Sequence, residues 1–156
     1  MTDNNPEIIR YFKQQPFGSR IHFEDIERTL HTKQDWQSRY QALLKLERQL
    51  PKLSSHYRSR PYAVHGCESE VWMIIQFDTT TSRWHLAVDS NARIMRGLSC
   101  VLLSLMNQQD TPTILNMPTL EKFHALGLGQ SLTKSRSNGL IHIIQTIHQS
   151  VQEQIR

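Results

Sequence analysis

Two cysteines, Cys67 and Cys100, are the candidate nucleophiles of this chain, and their neighbours set them apart. Cys100 lies in "GLSCVLLSLM" (97–106), where a cysteine is expected to behave as a small buried hydrophobe. Cys67 follows His65 and Gly66 and precedes Glu68, Ser69 and Glu70, just before the strand-like run "VWMIIQF". Gly66 gives the backbone freedom to turn sharply and lets another molecule approach. A thiol presented in this way can work as a nucleophile, since the thiolate is the reactive form and needs exposure and a favourable electrostatic setting. A cysteine that merely ends a strand fits the same residues, and composition alone does not separate the two readings.

Several chemistries can be tested against the pattern. A cysteine hydrolase needs a histidine base and a group that orients it. The eight histidines leave such a pairing open, although none stands in a recognisable signature. "HGC" offers only two potential zinc ligands and the other histidines are scattered, so no metal is expected. There is no CxxC motif and no Gly-rich phosphate loop. A lone presented cysteine suits a simpler task, taking a group covalently and passing it on.

The elements that must position Cys67 follow from periodicity. Residues 1–20 read as a weakly ordered arm, interrupted by Pro6, Pro16 and Gly18. A short helix is expected from Phe23 to Leu30. A longer one places Trp36, Tyr40, Leu43, Leu44 and Leu50 on one face, with Thr32 and Asp35 as a capping box and Pro51 as its stop. "RPYAVHGC", "VWMIIQFD" and "RWHLAV" predict two or three antiparallel strands, the last two forming a hairpin across "DTTTS". Asp89 or Ser90 is then expected to cap a helix whose stripe of Ile94, Met95, Leu98, Val101, Leu102 and Leu105, widened by Leu103 and Met106, makes it central to the core. Pro112 and Pro118 punctuate two short helices, "LGLG" closes the second, and a last helix from about Ser135 carries Leu140, Ile144, Ile147, Val151 and Ile155. The order is helices, a small sheet, then helices: an α+β fold with one domain over 21–156.

The chain of 156 residues is long enough for a real core and has no apolar run of membrane-spanning length. Its N-terminus lacks the basic-then-apolar order of a secretion signal, so a cytoplasmic location with free thiols is expected. The net charge of +4 is concentrated: residues 28–60 hold eight basic residues against Asp35 and Glu47. Such a surplus attracts nucleic acid, anionic lipid or an acidic protein. It supports a rival reading, a non-covalent binding module that meets RNA or an acidic partner through 28–60.

"GCESEVW", "DSNARIMRGL" and "LTKSRSNGL", in that order and spacing, resemble the three signature blocks of the SufE/CsdE family of sulfur acceptors, with similarity from about Phe17 to the C-terminus. The resemblance implies an α+β sandwich like that of the related iron–sulfur scaffold proteins. It implies a protein that takes sulfane sulfur from a cysteine desulfurase of the SufS or CsdA type as a persulfide on Cys67, stimulates that enzyme, and delivers the sulfur onward. The onward acceptor would be an iron–sulfur cluster scaffold or an E1-like tRNA-modifying dehydratase. Pyridoxal phosphate would sit on the desulfurase, leaving this chain without a cofactor. No membrane partner is implied, and nucleic acid is not an expected one. The cysteine would lie on a loop tucked against an apolar surface and swing out on docking, with His65 and Glu68 tuning its position. Arg136 matches the family's arginine near that loop, and Asp89 and Ser90 match its "DS". Asn91 stands where the SufE branch often has Asp, which removes a carboxylate there. "PFG" at 16–18 and Glu68 after the cysteine lean to the CsdE-like branch.

Overall fold

The structure is a computed structural model that describes residues 5–155. Residues 1–4 of the expected arm and the side chain of Ile155 lie outside the described residues.

The expected hairpin forms. Strands β1 (Val71–Asp78) and β2 (Arg83–Ser90) pair antiparallel, with Val71 opposite Ser90 and Asp78 opposite Arg83. "RPYAVHGC" adds no third strand. Its Arg60–Tyr62 forms a single 3-10 turn around Pro61, and only Ala63 bridges to Trp72. Proline cannot donate to a ladder, which confines that run to a brief contact at the sheet edge. The outer edge of β2 is satisfied by other means. The Tyr11 hydroxyl donates to Val88 O (2.8 Å) and accepts from Val88 N (3.2 Å), while Asn107 Oδ1 accepts from Leu86 N (2.9 Å).

Tyr11 belongs to a helix where a weakly ordered arm was expected. α1 (Pro6–Gln14) buries Ile8 and Tyr11. Pro6 is no breaker here, because the first helical turn needs no N–H from it, and Asn5 caps that turn by accepting from Glu7 N. The breaks at Pro16 and Gly18 are real, and they deliver Phe17 into the core. α2 (Phe23–His31) and α3 (Trp36–Glu47) follow as expected, with two differences. Asp35 caps α3 by accepting from Ser38 N (2.7 Å), whereas Thr32 turns back to donate to Thr29 O. α3 ends at Glu47, and a further turn carries the chain to Leu50 before Pro51.

α4 (Arg93–Met106) is the axis of the fold: all its residues except Arg93 are buried. It packs on β2 and on α3, α2 and α6. Gly97 permits the α3 crossing, since a Cβ there would lie 3.1 Å from Leu43 O. α5 (Thr111–Asn116) and α6 (Thr119–Ala125) are the two short helices, and α7 (Lys134–Ile155) closes the chain. The architecture is α+β. Among the described residues no helix is long and apolar enough to cross a membrane.

Candidate functional site

Cys67 lies on the loop between the Arg60–Tyr62 turn and β1, and the loop is tied down at both ends. Val64 N donates to Val71 O at 2.8 Å. At the other end Ser90 Oγ donates to Glu70 O (2.6 Å), Asn91 Oδ1 accepts from Glu70 N (3.1 Å), and Asn91 N donates to Glu70 O (3.3 Å). Between these ties the chain turns through Gly66 at φ +90°, a conformation open to glycine at little cost.

The half-buried thiol stands between two cavities. The inner one, about 250 Å³, has walls from Ile94 and Met95 of α4, Gly139 and Arg136 of α7, and the loop itself. The outer groove, about 380 Å³, is bordered by Arg58, Arg60, His65, Glu70 and Trp72. Cys67 Sγ donates a weak hydrogen bond to Gly139 O at 3.6 Å. Burial pushes the Cys67 thiol up from its ordinary pKa, so the seated group favours the neutral form.

Three loop residues meet three α7 residues in reverse order. The His142 ring lies against Gly66, where an added Cβ would come within 2.6 Å of it. Cys67 meets Gly139, and Ser135 Oγ donates to the Glu68 carboxylate. Ser135, Gly139 and His142 follow one another at spacings of four and three, which places them on one helix face. Sequence reasoning names Gly66, Cys67 and Glu68 but misses their α7 counterparts and Met95. One signal is present: a glycine inside a helical pattern marks close approach, and Gly139 is such a residue.

The other expected residues fall in different places. His65 is exposed and lines the outer groove. Arg136 lines the inner cavity with Cys67, and its guanidinium donates to Ser131 O (3.1 Å). It is not the cap of α7; Thr133 Oγ1 accepts from Arg136 N in that role (3.3 Å). Ser90 ties the loop, as described. Neither Asp89 nor Ser90 caps α4 by a conventional side-chain bond: both end β2, and the cap position is Ala92. Asp89 is buried with Arg96, whose guanidinium donates to Asp89, to Glu47 Oε1 (2.7 Å) and to Leu50 O. Asp89 Oδ2 also accepts from Leu53 N (2.8 Å), so the cluster joins β2, α3, α4 and the 50–53 segment. Burial works against the Arg96 charge, but Glu47 and Asp89 outweigh it and hold the guanidinium above its ordinary pKa.

Some basic side chains of the 28–60 segment have partners of their own. Arg39 donates to Leu30 O and Gly127 O, Arg28 pairs with Asp25, and Arg58 stands 5.9 Å over the Trp72 ring. Among the described residues no group of three or more His, Cys, Asp or Glu could hold a metal ion.

Residues 24–151 match the SufE family, described as an Fe-S metabolism associated domain. The chain belongs to the SufE family. It is 31% identical to the sulfur acceptor protein CsdE of Escherichia coli K12 over 136 residues, covering 87% of this chain and 92% of that one. It is 28% identical to an uncharacterized SufE-like protein of Rhizobium etli over 139 residues, covering 86% and 94%. The fold is shared with a hypothetical protein of Thermus thermophilus solved in solution, at a TM-score of 0.67 and 15% identity, covering 84% of this chain and 93% of that one. The family resemblance carried by the three sequence blocks holds, and the CsdE similarity agrees with the branch to which "PFG" and Glu68 lean.

Proposed function

We propose that this protein is a sulfur acceptor for a cysteine desulfurase and carries the sulfur as a persulfide on Cys67. The observation that carries the reading is the placement of that thiol, half-buried on a turn at Gly66 and lining both an inner cleft and an open groove. Membership of the SufE family and the likeness to a protein named as a sulfur acceptor support it.

The transfer balances as a thiol exchange. The Cys67 thiolate attacks the outer sulfur of the desulfurase persulfide, a new S–S bond forms, and the electron pair of the old one leaves with the desulfurase thiolate. No net oxidation occurs and no cofactor on this chain is needed, since pyridoxal phosphate serves the desulfurase. The seated thiol is a poor nucleophile because burial favours its neutral form. Docking that lifts the loop towards the outer groove frees the thiol to ionise and at the same time stimulates the desulfurase by removing its product sulfur. A second exchange hands the sulfur to a downstream acceptor, an iron–sulfur scaffold or an E1-like dehydratase.

Intact-protein mass spectrometry after incubation with a SufS- or CsdA-type desulfurase, pyridoxal phosphate and cysteine tests this, without added reductant. One extra sulfur is expected on the wild type and on Cys100→Ser, and none on Cys67→Ser. Absence of added sulfur on all three, with an active cognate desulfurase, would overturn the proposal.

A further inference from the structure

We infer that His142 is a positioning residue for the sulfur-transfer thiol: its ring, set against Gly66, holds the turn that seats Cys67 on Gly139. The inference rests on the persulfide reading for its functional meaning, but its geometry stands by itself. His142, Gly139 and Ser135 form three rungs against residues 66, 67 and 68. The outer rungs differ in kind. Ser135–Glu68 is an exposed polar contact, which water can replace. His142–Gly66 is a contact of ring on backbone, so tight that a Cβ on residue 66 would come within 2.6–2.7 Å of three ring atoms. The middle rung is a weak sulfur bond at 3.6 Å, and a Cβ on Gly139 would meet only ordinary van der Waals neighbours. Steric definition of the seat therefore comes from His142.

The consequence is specific. With the ring present, the left-handed turn at Gly66 is backed from behind and the thiol points into the cleft beside Met95 and Gly139. With the ring removed, the turn loses its backing and Cys67 can relax into the outer groove. His142 acts through Gly66 and by shape, so a flat ring that carries no charge should serve in its place. The charged or titratable groups around the thiol are Arg136 on the inner side, Arg58, Arg60, His65 and Glu70 on the outer, Glu68 on both, and His142 itself against Gly66. Replacing His142 leaves the others in place, and the comparison of His142→Ala with His142→Phe separates its shape from its titration.

The test is the pH dependence of Cys67 alkylation by iodoacetamide, followed by peptide mass spectrometry so that Cys100 is read separately. In the wild type the inflection is expected above the ordinary thiol value, because the seated thiol is half-buried. His142→Ala is expected to lower that inflection and to raise the rate near neutral pH by about threefold or more, because a relaxed thiol ionises more easily. His142→Phe should stay close to wild type. A rate and inflection unchanged in His142→Ala would overturn the inference, and so would His142→Phe behaving like His142→Ala, which would show that a flat uncharged ring does not serve in place of the imidazole. A structural role alone would lower thermal stability without moving the inflection. The alkylation needs no desulfurase: loss of persulfide loading with this contrast intact would overturn the carrier reading alone.

Discussion

Cys67 and Cys100 each donate a weak bond to a backbone carbonyl, Gly139 O at 3.6 Å and Leu46 O at 3.7 Å. Burial raises the pKa of both. What separates them is the element that holds each one. Cys100 is fixed in α4, with core on every side and the Arg96 cluster one turn away. Cys67 is held on a loop, tied at its two ends and seated between them by a turn, a ring and one exposed hydroxyl. Availability for chemistry therefore depends on how cheaply the surroundings open, more than on the bond the thiol makes at rest.

The largest effect that would sharpen this contrast comes from the rigid side. Arg96→Ala leaves buried Asp89 without its cation and Glu47 with only the longer Arg93 pair (3.5 Å), and breaking a buried ion pair in this way costs about 3–5 kcal/mol. Urea denaturation should show that loss. Alkylation of Cys67 in the remaining folded protein should keep its wild-type rate. A loss below about 1 kcal/mol would mean that water reaches the cluster and the region is less rigid than its burial indicates.

Gly66→Ala should produce the opposite pattern. A Cβ at φ +90° is strained and also meets His142, a combination that would cost about 1–3 kcal/mol if the loop stayed in place. The loop is free to leave its seat, so the measured loss of stability should fall at the low end while Cys67 alkylation rises. A full loss with slow alkylation would show a loop as fixed as α4.

Alkaline pH separates the thiols in a third way. Cys100 is held protonated far above its ordinary value of 9.0 because it is buried. The unfolded chain releases that proton first, so it binds fewer protons than the folded chain and stability falls as pH rises past about 9. Tyr11, raised by burial as well, adds to the decline above its ordinary 10.0. Cys100→Ala should flatten the first part of that decline in pH-dependent denaturation, and Cys67→Ala should do so less. Equal flattening would break the distinction.

These contrasts are legible in the sequence to different depths. The buried stripe of α4 and the turn that presents Cys67 are local patterns, and the structure carries both. Asp89 reads as a cap because Asp-Ser before an apolar period looks like one. Its actual partner Arg96 is only seven residues away, yet the same guanidinium also binds Glu47, which lies forty-nine residues from Arg96. No local pattern announces that. Pro6 reads as a breaker because its place at the start of a helix depends on Ile8 and Tyr11 finding a core to enter. His142 escapes notice because its meaning comes from a loop more than seventy residues away in the chain.

The smallest expected effect probes the weakest rung. Ser135→Ala removes the hydroxyl that donates to Glu68, an exposed contact worth about 0.2–1 kcal/mol at most in such settings. Global stability should change by less than denaturation can resolve. The loop should still respond, because its free energy of opening is a small fraction of the whole and a few tenths of a kcal/mol is a measurable share of it. Amide hydrogen exchange over residues 65–70 should therefore quicken slightly in Ser135→Ala, with α4 unchanged. Raising salt should produce the same change in the wild type if the carboxylate's charge carries the contact. Exchange that quickens in α4 as well would mean that the loop and the core open together, and the two cysteines would then differ in degree only.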